Sequence, residues 1–391
     1  MLTSTPFIPY AKQEITAEDV EAVASALSSP IITRGEKVLE FERELAAYTG
    51  AKYAVAFNSG TAALMAAYHA ADIGSNTRVL TTPNTFVSTV GSAMLRKATP
   101  VFIDIERATG NIDLEALLLN LSRKTSRGKT VIVPVHYAGI AVDVQAIDAA
   151  IDEMDAMIIE DAAHAIGSKY KDGTMVGSCA YSHMAIFSFH PAKTITTGEG
   201  GCVTTNDEAL AIKLKTFRNN GIENASSGMS PPMPWESHID FLSGNYHLTE
   251  FQAALGLSQL KRIDSFIAKR KHLLATYHKL LDGVKHVQLL QPQNPDFVAP
   301  HLCVAHIDFT SLKTTRERVM NALKEKGIGT QYHYIPIYRQ NFFTKEAGDI
   351  SEYFPEMERH FAEGLSLPLH VALSESDVER VVKALKSCLK L

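Results

Sequence analysis

The sequence predicts an α/β protein in which a large, mainly parallel sheet flanked by helices is followed by a smaller C-terminal α/β unit. Three observations carry that expectation. From about Tyr53 to Thr205, short β-rich runs alternate with helical patterns, as in strands joined by crossover helices. The strongly helical stretch Thr249–Leu281 then reads as a long connector. From His301 onward come a strand and helical patterns near Thr314–Lys326, Tyr353–Leu365 and Glu375–Cys388. The expected division is residues 1–260, an N-terminal segment with the large domain, and residues 261–391, the small domain. A chain of 391 residues has ample material for both.

Within the large domain the expected strands are Tyr53–Phe57, Val79–Thr81, Pro100–Asp104, Val131–Val135, Met157–Glu160, Met184–Ser188 and Gly201–Thr205. Helical patterns at Thr61–Ala71, Val87–Arg96, Leu114–Asn120 and Val144–Asp155 separate most of them. Ligands on such sheets bind at the carboxyl ends of strands. Four polar segments fall there: Asn58–Thr61, Thr82–Phe86, Asp161–His164 and Ser188–Lys193. Their convergence on one edge is a stronger signal than any of them singly. Asn224–Pro234 and Gln291–Pro300 read as loops from their Ser, Gly and Pro content.

Composition narrows the class. Hydrophobic content of 46% and charge of 21% are ordinary for a soluble globular protein. A net charge of −5 argues against nucleic acid or an anionic membrane as the main partner. Cys179, Cys202, Cys303 and Cys388 are scattered without metal-type spacing, so no metal site is expected and a reducing cytosol suits them. No run is long and apolar enough to span a membrane, and no signal-peptide pattern opens the sequence. The expected location is the cytoplasm.

Chemistry concentrates in Phe187–Gly201, FSFHPAKTITTGEGG. Lys193 follows a short apolar strand, and a Gly-rich turn returns the chain to the next strand. Lysine forms Schiff bases, and partial desolvation makes its free amine available. A surface lysine on a hairpin is the other reading. In Asn58-Ser59-Gly60-Thr61, Gly60 allows close approach, and the helix start favours an anion such as phosphate, though a plain helix cap is also consistent. Asp161 ends the apolar run MIIED and, if buried, needs a partner: a protonated pyridine nitrogen, or a structural Arg or backbone N–H. His164 could reach a phenolic oxygen of the same ring or be a satisfied core histidine. Phe86 could stack on a flat ring or belong to the core. An amine, a carboxylate, an aromatic, a phosphate cradle and Ser188 beside the lysine together match pyridoxal phosphate (PLP).

Nearly end to end, the chain resembles the DegT/StrS family of sugar aminotransferases. The resemblance runs through IPYAKQEI, ITRGEKVLEFERELAAYTGAKYAVAFNSGTAAL, TTPNTFVST, IEDAAHAIGS, SFHPAKTITTGEGG, GNYHLTEFQAALGLSQL, QYHYIPIYRQ and LSLPLH. It implies the type I aspartate-aminotransferase fold. It also implies that Lys193 is the Schiff-base lysine, Asp161 the partner of the pyridine nitrogen, His164 the contact to the ring oxygen and Phe86 the stacking ring. Gly60, Thr61 and Ser188 would hold the phosphate. Asn245 matches the residue that reaches the phosphate of the neighbouring subunit, so a homodimer with composite sites is implied. Tyr10, Ile32, Thr33 and the segment Tyr338, Arg339, Gln340 and Asn341 match regions lining the sugar-nucleotide pocket.

The chain departs from the family pattern at Gly244, where an aromatic is usual, at His247, where Arg is usual, and at His164, where Gln is common. It keeps the amine at Lys193, where the dehydratase branch carries His. SFHPAKTITTGEGG, HLTEFQAALGLSQLK and HYIPIY resemble the branch serving pseudaminic acid synthesis. That implies transfer of an amino group from L-glutamate to C4 of a UDP-linked 4-keto-6-deoxy sugar. The alternatives are a dTDP- or GDP-linked 4-ketosugar, or a non-catalytic regulatory member of the family. A cysteine desulfurase would need a nucleophilic Cys on a mobile loop, and Asn224–Pro234 contains none.

Overall fold

The computed structural model describes residues 6–123, 128–152, 154–222 and 237–391; the expected loop Asn224–Pro234 lies outside them. Two helices, α1 (Ala17–Leu27) and α2 (Glu36–Thr49), precede the first strand. The alternating region then runs β1 (Tyr53–Phe57), α3 (Gly60–Ala70), β2 (Thr77–Thr81), α4 (Val87–Leu95), β3 (Thr99–Phe102), α5 (Leu114–Ser122), β4 (Lys129–Val133), α6 (Val144–Ile151), β5 (Ala156–Asp161), β6 (Met184–Ser188), β7 (Gly201–Thr205) and α7 (Glu208–Arg218). Helices α8 (Glu250–Leu260) and α9 (Ile263–Leu281) lead to β8 (Val287–Leu289), β9 (Cys303–Ile307), α10 (Arg316–Glu325), α11 (Asn341–Ala347), α12 (Pro355–Glu363), β10 (Gly364–Leu367) and α13 (Glu375–Leu389).

The large sheet has the order β1-β7-β6-β5-β4-β2-β3. Strands β6 through β3 are parallel, while β7 runs antiparallel to both of its neighbours. Strand β1 therefore points the same way as β6, and the carboxyl ends of β1, β2, β5 and β6 share one edge. Alternation along each strand divides the core between two faces. Ala54, Ala56, Ile132 and Ile158 pack with Phe41, Leu117, Ile147 and Leu257 from α2, α5, α6 and α8. Val55, Phe57, Val131 and Ile159 pack with Leu64, Ala93 and Leu214 from α3, α4 and α7. Burying both faces requires near-continuous apolar strands, as the sequence supplies.

A second, antiparallel sheet of order β10-β9-β8 packs with α9, α10 and α13 around Leu273, Val319, Leu323 and Val381. Ile8 joins this cluster and bridges Ile328, which ties the N-terminal segment to the C-terminal sheet. Two expectations are corrected. The helical stretch Thr249–Leu281 is interrupted at Lys261–Arg262, and the helix expected through Leu365 stops at Glu363. Leu365 and Leu367 are buried as strand residues paired with Ala305 and Cys303, because tertiary pairing outweighs their helix propensity.

A buried ion pair locks β1 to its neighbours. The Glu42 carboxylate accepts the Ala56 N–H at 2.8 Å and the Arg218 guanidinium at 2.5 Å, and Arg218 also donates to the Ala56 carbonyl. Removing one partner strands a buried charge. Arg218→Met is therefore expected to lower unfolding stability by about 3 kcal/mol in a urea titration. Arg43→Met, which breaks the exposed, solvent-screened pair with Glu36, should leave the urea midpoint essentially unchanged.

Candidate active site

Strand register builds the site. Phe57 of β1 and Ser188 of β6 both pair with Gly201 of β7, so the loops after β1 and β6 emerge side by side. A Cβ on Gly201 would lie 2.5 Å from the Ser59 carbonyl oxygen, and one on Gly60 would lie 3.0 Å from the Ser188 Cβ. Only glycine fits at this crossing. Ser59 caps α3, its hydroxyl accepting the Ala62 N–H at 3.1 Å. Among the described residues the Gly60 and Thr61 amides have no hydrogen-bond acceptor, which leaves an anion cradle between this helix start and Ser188.

The adjoining cavity, of about 380 Å³, is lined by Gly60, Thr61, Phe86, Asp161, His164, Ser188, Lys193 and Tyr10, together with His301, His333 and Tyr334. Asp161 is buried at the end of β5; its carboxylate accepts the Thr89 hydroxyl at 2.6 Å and the Ala163 N–H at 3.2 Å. No arginine pairs with it among the described residues. Thr85 in turn donates to Thr89 at 2.8 Å. A turn closed by the Lys193 N–H to the His190 carbonyl presents Lys193 to the cavity. Desolvation lowers its ammonium pKa to about 8, against the opposing attraction of Asp161. Burial holds His164, His301 and His333 well below the ordinary imidazole range, and nearby Lys193 pushes each further down. All three rings are therefore neutral at pH 7. Phe86 caps no core: it is 56% exposed at the start of α4, its ring 6.3 Å from that of Tyr334.

A larger cleft of about 920 Å³ shares Tyr10, Phe86, His333 and Tyr334 with this cavity and adds Gln340, Asn341, Phe342 and Phe343. Tyr338 and Arg339, expected with them, turn away. Tyr338 is buried against Phe354 with its hydroxyl on Glu358 at 2.7 Å, and Arg339 pairs with the same carboxylate. Ile32 and Thr33 are exposed beside Thr249 and Glu250, outside both cavities.

Asn245 also lies outside the cavity, exposed, with its side-chain oxygen on the His247 N–H at 3.2 Å. It does not cap α8; Thr249 does, in a capping box with Gln252. His247 is held at about 4 by burial and by the charges of Arg218 and Arg34, and its Nε2 meets the Asn219 side-chain oxygen at 3.1 Å.

The sequence reading passed over Thr89, His333 and Tyr334. HYIPIY carries two of them, but only as a stretch of family resemblance. Thr89 is visible only as a helix residue of α4 until the fold sets it beside Asp161.

The model of the DegT/DnrJ/EryC1/StrS aminotransferase family matches residues 13–386. This chain belongs to that family. It is 36% identical to the spore coat polysaccharide biosynthesis protein SpsC of Bacillus subtilis over 98% of this chain and 97% of that one. Among solved structures, it is similar to PseC of Helicobacter pylori, an aminotransferase of pseudaminic acid biosynthesis. The match has 30% identity and a TM-score of 0.89, and covers 98% and 99% of the two chains. The PLP form of a sugar aminotransferase from Streptococcus pneumoniae, Spr1654, matches with 27% identity and a TM-score of 0.87, covering 98% and 99%. The protein is a PLP-dependent sugar aminotransferase of the type I fold. The cavity fits that cofactor: a Cβ at Gly60 would crowd Ser188 at its cradle, a buried carboxylate lines it, and its amine is desolvated.

Two outcomes follow. Capture of PLP by cofactor-free protein needs the neutral amine, so its rate should climb between about pH 7 and 9 and level off above the lowered Lys193 pKa. Stopped-flow absorbance measures this, and borohydride reduction followed by mass spectrometry should place the label on Lys193. Gly60→Val should weaken PLP binding by about tenfold or more, an effect of roughly 1.4 kcal/mol read by fluorescence titration.

Proposed function

We propose that this aminotransferase moves an amino group from L-glutamate to C4 of a nucleotide-linked 4-keto-6-deoxy sugar. We take the sugar to be UDP-linked, in the pathway to pseudaminic acid. The likeness to PseC along almost the whole chain supports this reading most directly. The long aromatic cleft opening from the Lys193 cavity has room for a nucleotide as well as a sugar. dTDP- or GDP-linked sugars are the competing substrates.

In this proposal Gly60, Thr61 and Ser188 hold the cofactor phosphate, Phe86 stacks on its ring and His164 contacts the ring oxygen. PLP, when bound, supplies an electron sink for the donor's α-carbon. Asp161 keeps a proton on the pyridine nitrogen, its own geometry fixed by Thr89 and Ala163. Lys193, with an amine near neutrality at working pH, takes the proton from the glutamate Cα and later delivers one to the sugar C4. Tyr10, Gln340 and Asn341 contact the substrate from the cleft. Ile32, Thr33 and Asn245 act across a homodimer, Asn245 reaching the partner's phosphate. The proposed domain division at residues 260 and 261 falls at the break between α8 and α9. Among the described residues no helix is long and apolar enough to cross a membrane, which is compatible with a cytoplasmic site of action.

The PLP-loaded protein should release 2-oxoglutarate from glutamate without added sugar and then aminate a UDP-4-ketosugar, with the product identified by NMR. Turnover of only dTDP- or GDP-linked sugars would replace the UDP assignment, and no half-reaction would favour a non-catalytic role. Composite sites have a separate check. Mixing Lys193→Ala and Asn245→Ala homodimers under subunit exchange should restore activity above either parent, because one site of the heterodimer then carries neither defect. No recovery would place Asn245 in its own subunit's site.

A further inference from the structure

Most groups around the cavity answer to a role already described, but the Tyr334 hydroxyl does not. Its oxygen lies 3.0 Å from Nε2 of His164, while Nδ1 of that ring faces the Ala138 N–H at 3.4 Å. An N–H can only donate, so Nδ1 accepts, and a neutral imidazole then carries its single hydrogen on Nε2. Lys193, His333 and His301, the titratable groups around this ring, all disfavour a second proton on it. Tyr334 itself is firmly placed. Its ring packs against the cluster of Tyr137, Leu302 and Val304, and the Tyr137 hydroxyl donates at 2.6 Å to the carbonyl of the preceding residue, His333. The glutamine common in the family presents a donor or an acceptor by turning its amide, whereas a histidine presents a donor at Nε2 only in the right tautomer.

We propose that Tyr334 is a positioning residue that holds the His164 ring as the Nε2–H tautomer with that hydrogen at the cavity wall. Tyr334 accepts from Nε2 and acts on the cavity through that ring. The consequence for the cofactor rests on the reading of His164 as the contact to the PLP ring oxygen, whereas the tautomer itself does not.

Nitrogen-15 NMR of histidine-labelled, cofactor-free protein tests the proposal, with His164→Gln identifying the resonance. The wild type should show one protonated and one bare nitrogen on His164. Tyr334→Phe, which keeps the packed ring, should shift and broaden the Nε2 signal. PLP titration should find Tyr334→Phe weaker by about fivefold, a typical single hydrogen bond. In the His164→Gln background the same substitution should cost little more. A wild-type signal from the Nδ1–H tautomer would overturn the proposal without any variant. Unchanged His164 signals in Tyr334→Phe would also overturn it, as would an undiminished effect of that substitution in the His164→Gln background. If PLP binds neither protein, the cofactor reading fails, yet the NMR result still decides the positioning.

Discussion

Everything at the active edge depends on how closely two loops can cross at Gly201. The antiparallel β7 lies between β1 and β6, so their carboxyl ends emerge one on each side of it, two strand spacings apart. The Ser59 carbonyl and Gly60 occupy the space that a side chain at residue 201 would need, and Ser188 occupies the space a side chain at residue 60 would need. This contact sets the α3 start against the loop bearing Lys193. The cradle and the amine therefore share one cavity, although more than a hundred residues separate them in sequence. Without the close approach, the helix start would be a capped terminus and Lys193 a loop lysine.

Desolvation is the second organising effect. The cavity gathers Lys193, Asp161 and the buried histidines His164, His301 and His333, with His190 and Glu199 also on its lining. Burial keeps the three buried rings neutral and lowers the lysine to about 8, and the presence of Lys193 strengthens the effect on each of the three. A cationic imidazole there would face the ammonium at close range in a poorly solvated space. Two of these neutral rings are oriented by hydrogen bonds: His164 by the Ala138 amide, and His333 by Ser366, which lies 2.8 Å from its Nδ1. Asp161 keeps a partner on each carboxylate oxygen, with no arginine ion pair among the described residues.

The edge near Asn245 shows a different compromise. His247 occupies the position where the family pattern has arginine, and its surroundings, burial together with Arg218 and Arg34, keep it uncharged. Arg218 is committed to Glu42 and to the Ala56 carbonyl of β1, so it serves the fold. The exposed Asn245 side chain is tethered only by the amide of His247, leaving its nitrogen free of partners among the described residues.

By itself, the sequence determined the alternation of strands and helices and the gathering of polar loops at strand ends. Those signals are local: short apolar runs, the helix start after Asn58-Ser59, and glycines where the backbone must turn or approach closely. It also determined that Lys193, Asp161, His164, Phe86, Gly60, Thr61 and Ser188 belong together, since each follows its strand at the same edge. Tertiary structure alone decided the rest. Leu365 and Leu367 became a strand because β9 offered them a partner, against a helical local pattern. Tyr338 and Arg339 left the cleft because Glu358, on α12, satisfies them both. Thr89 and Tyr334 acquired roles only when folding placed them beside Asp161 and His164, 72 and 170 residues away in the chain. Hydrogen bonds between such distant residues leave no periodicity to read; they exist only once the sheet has set the loops in place.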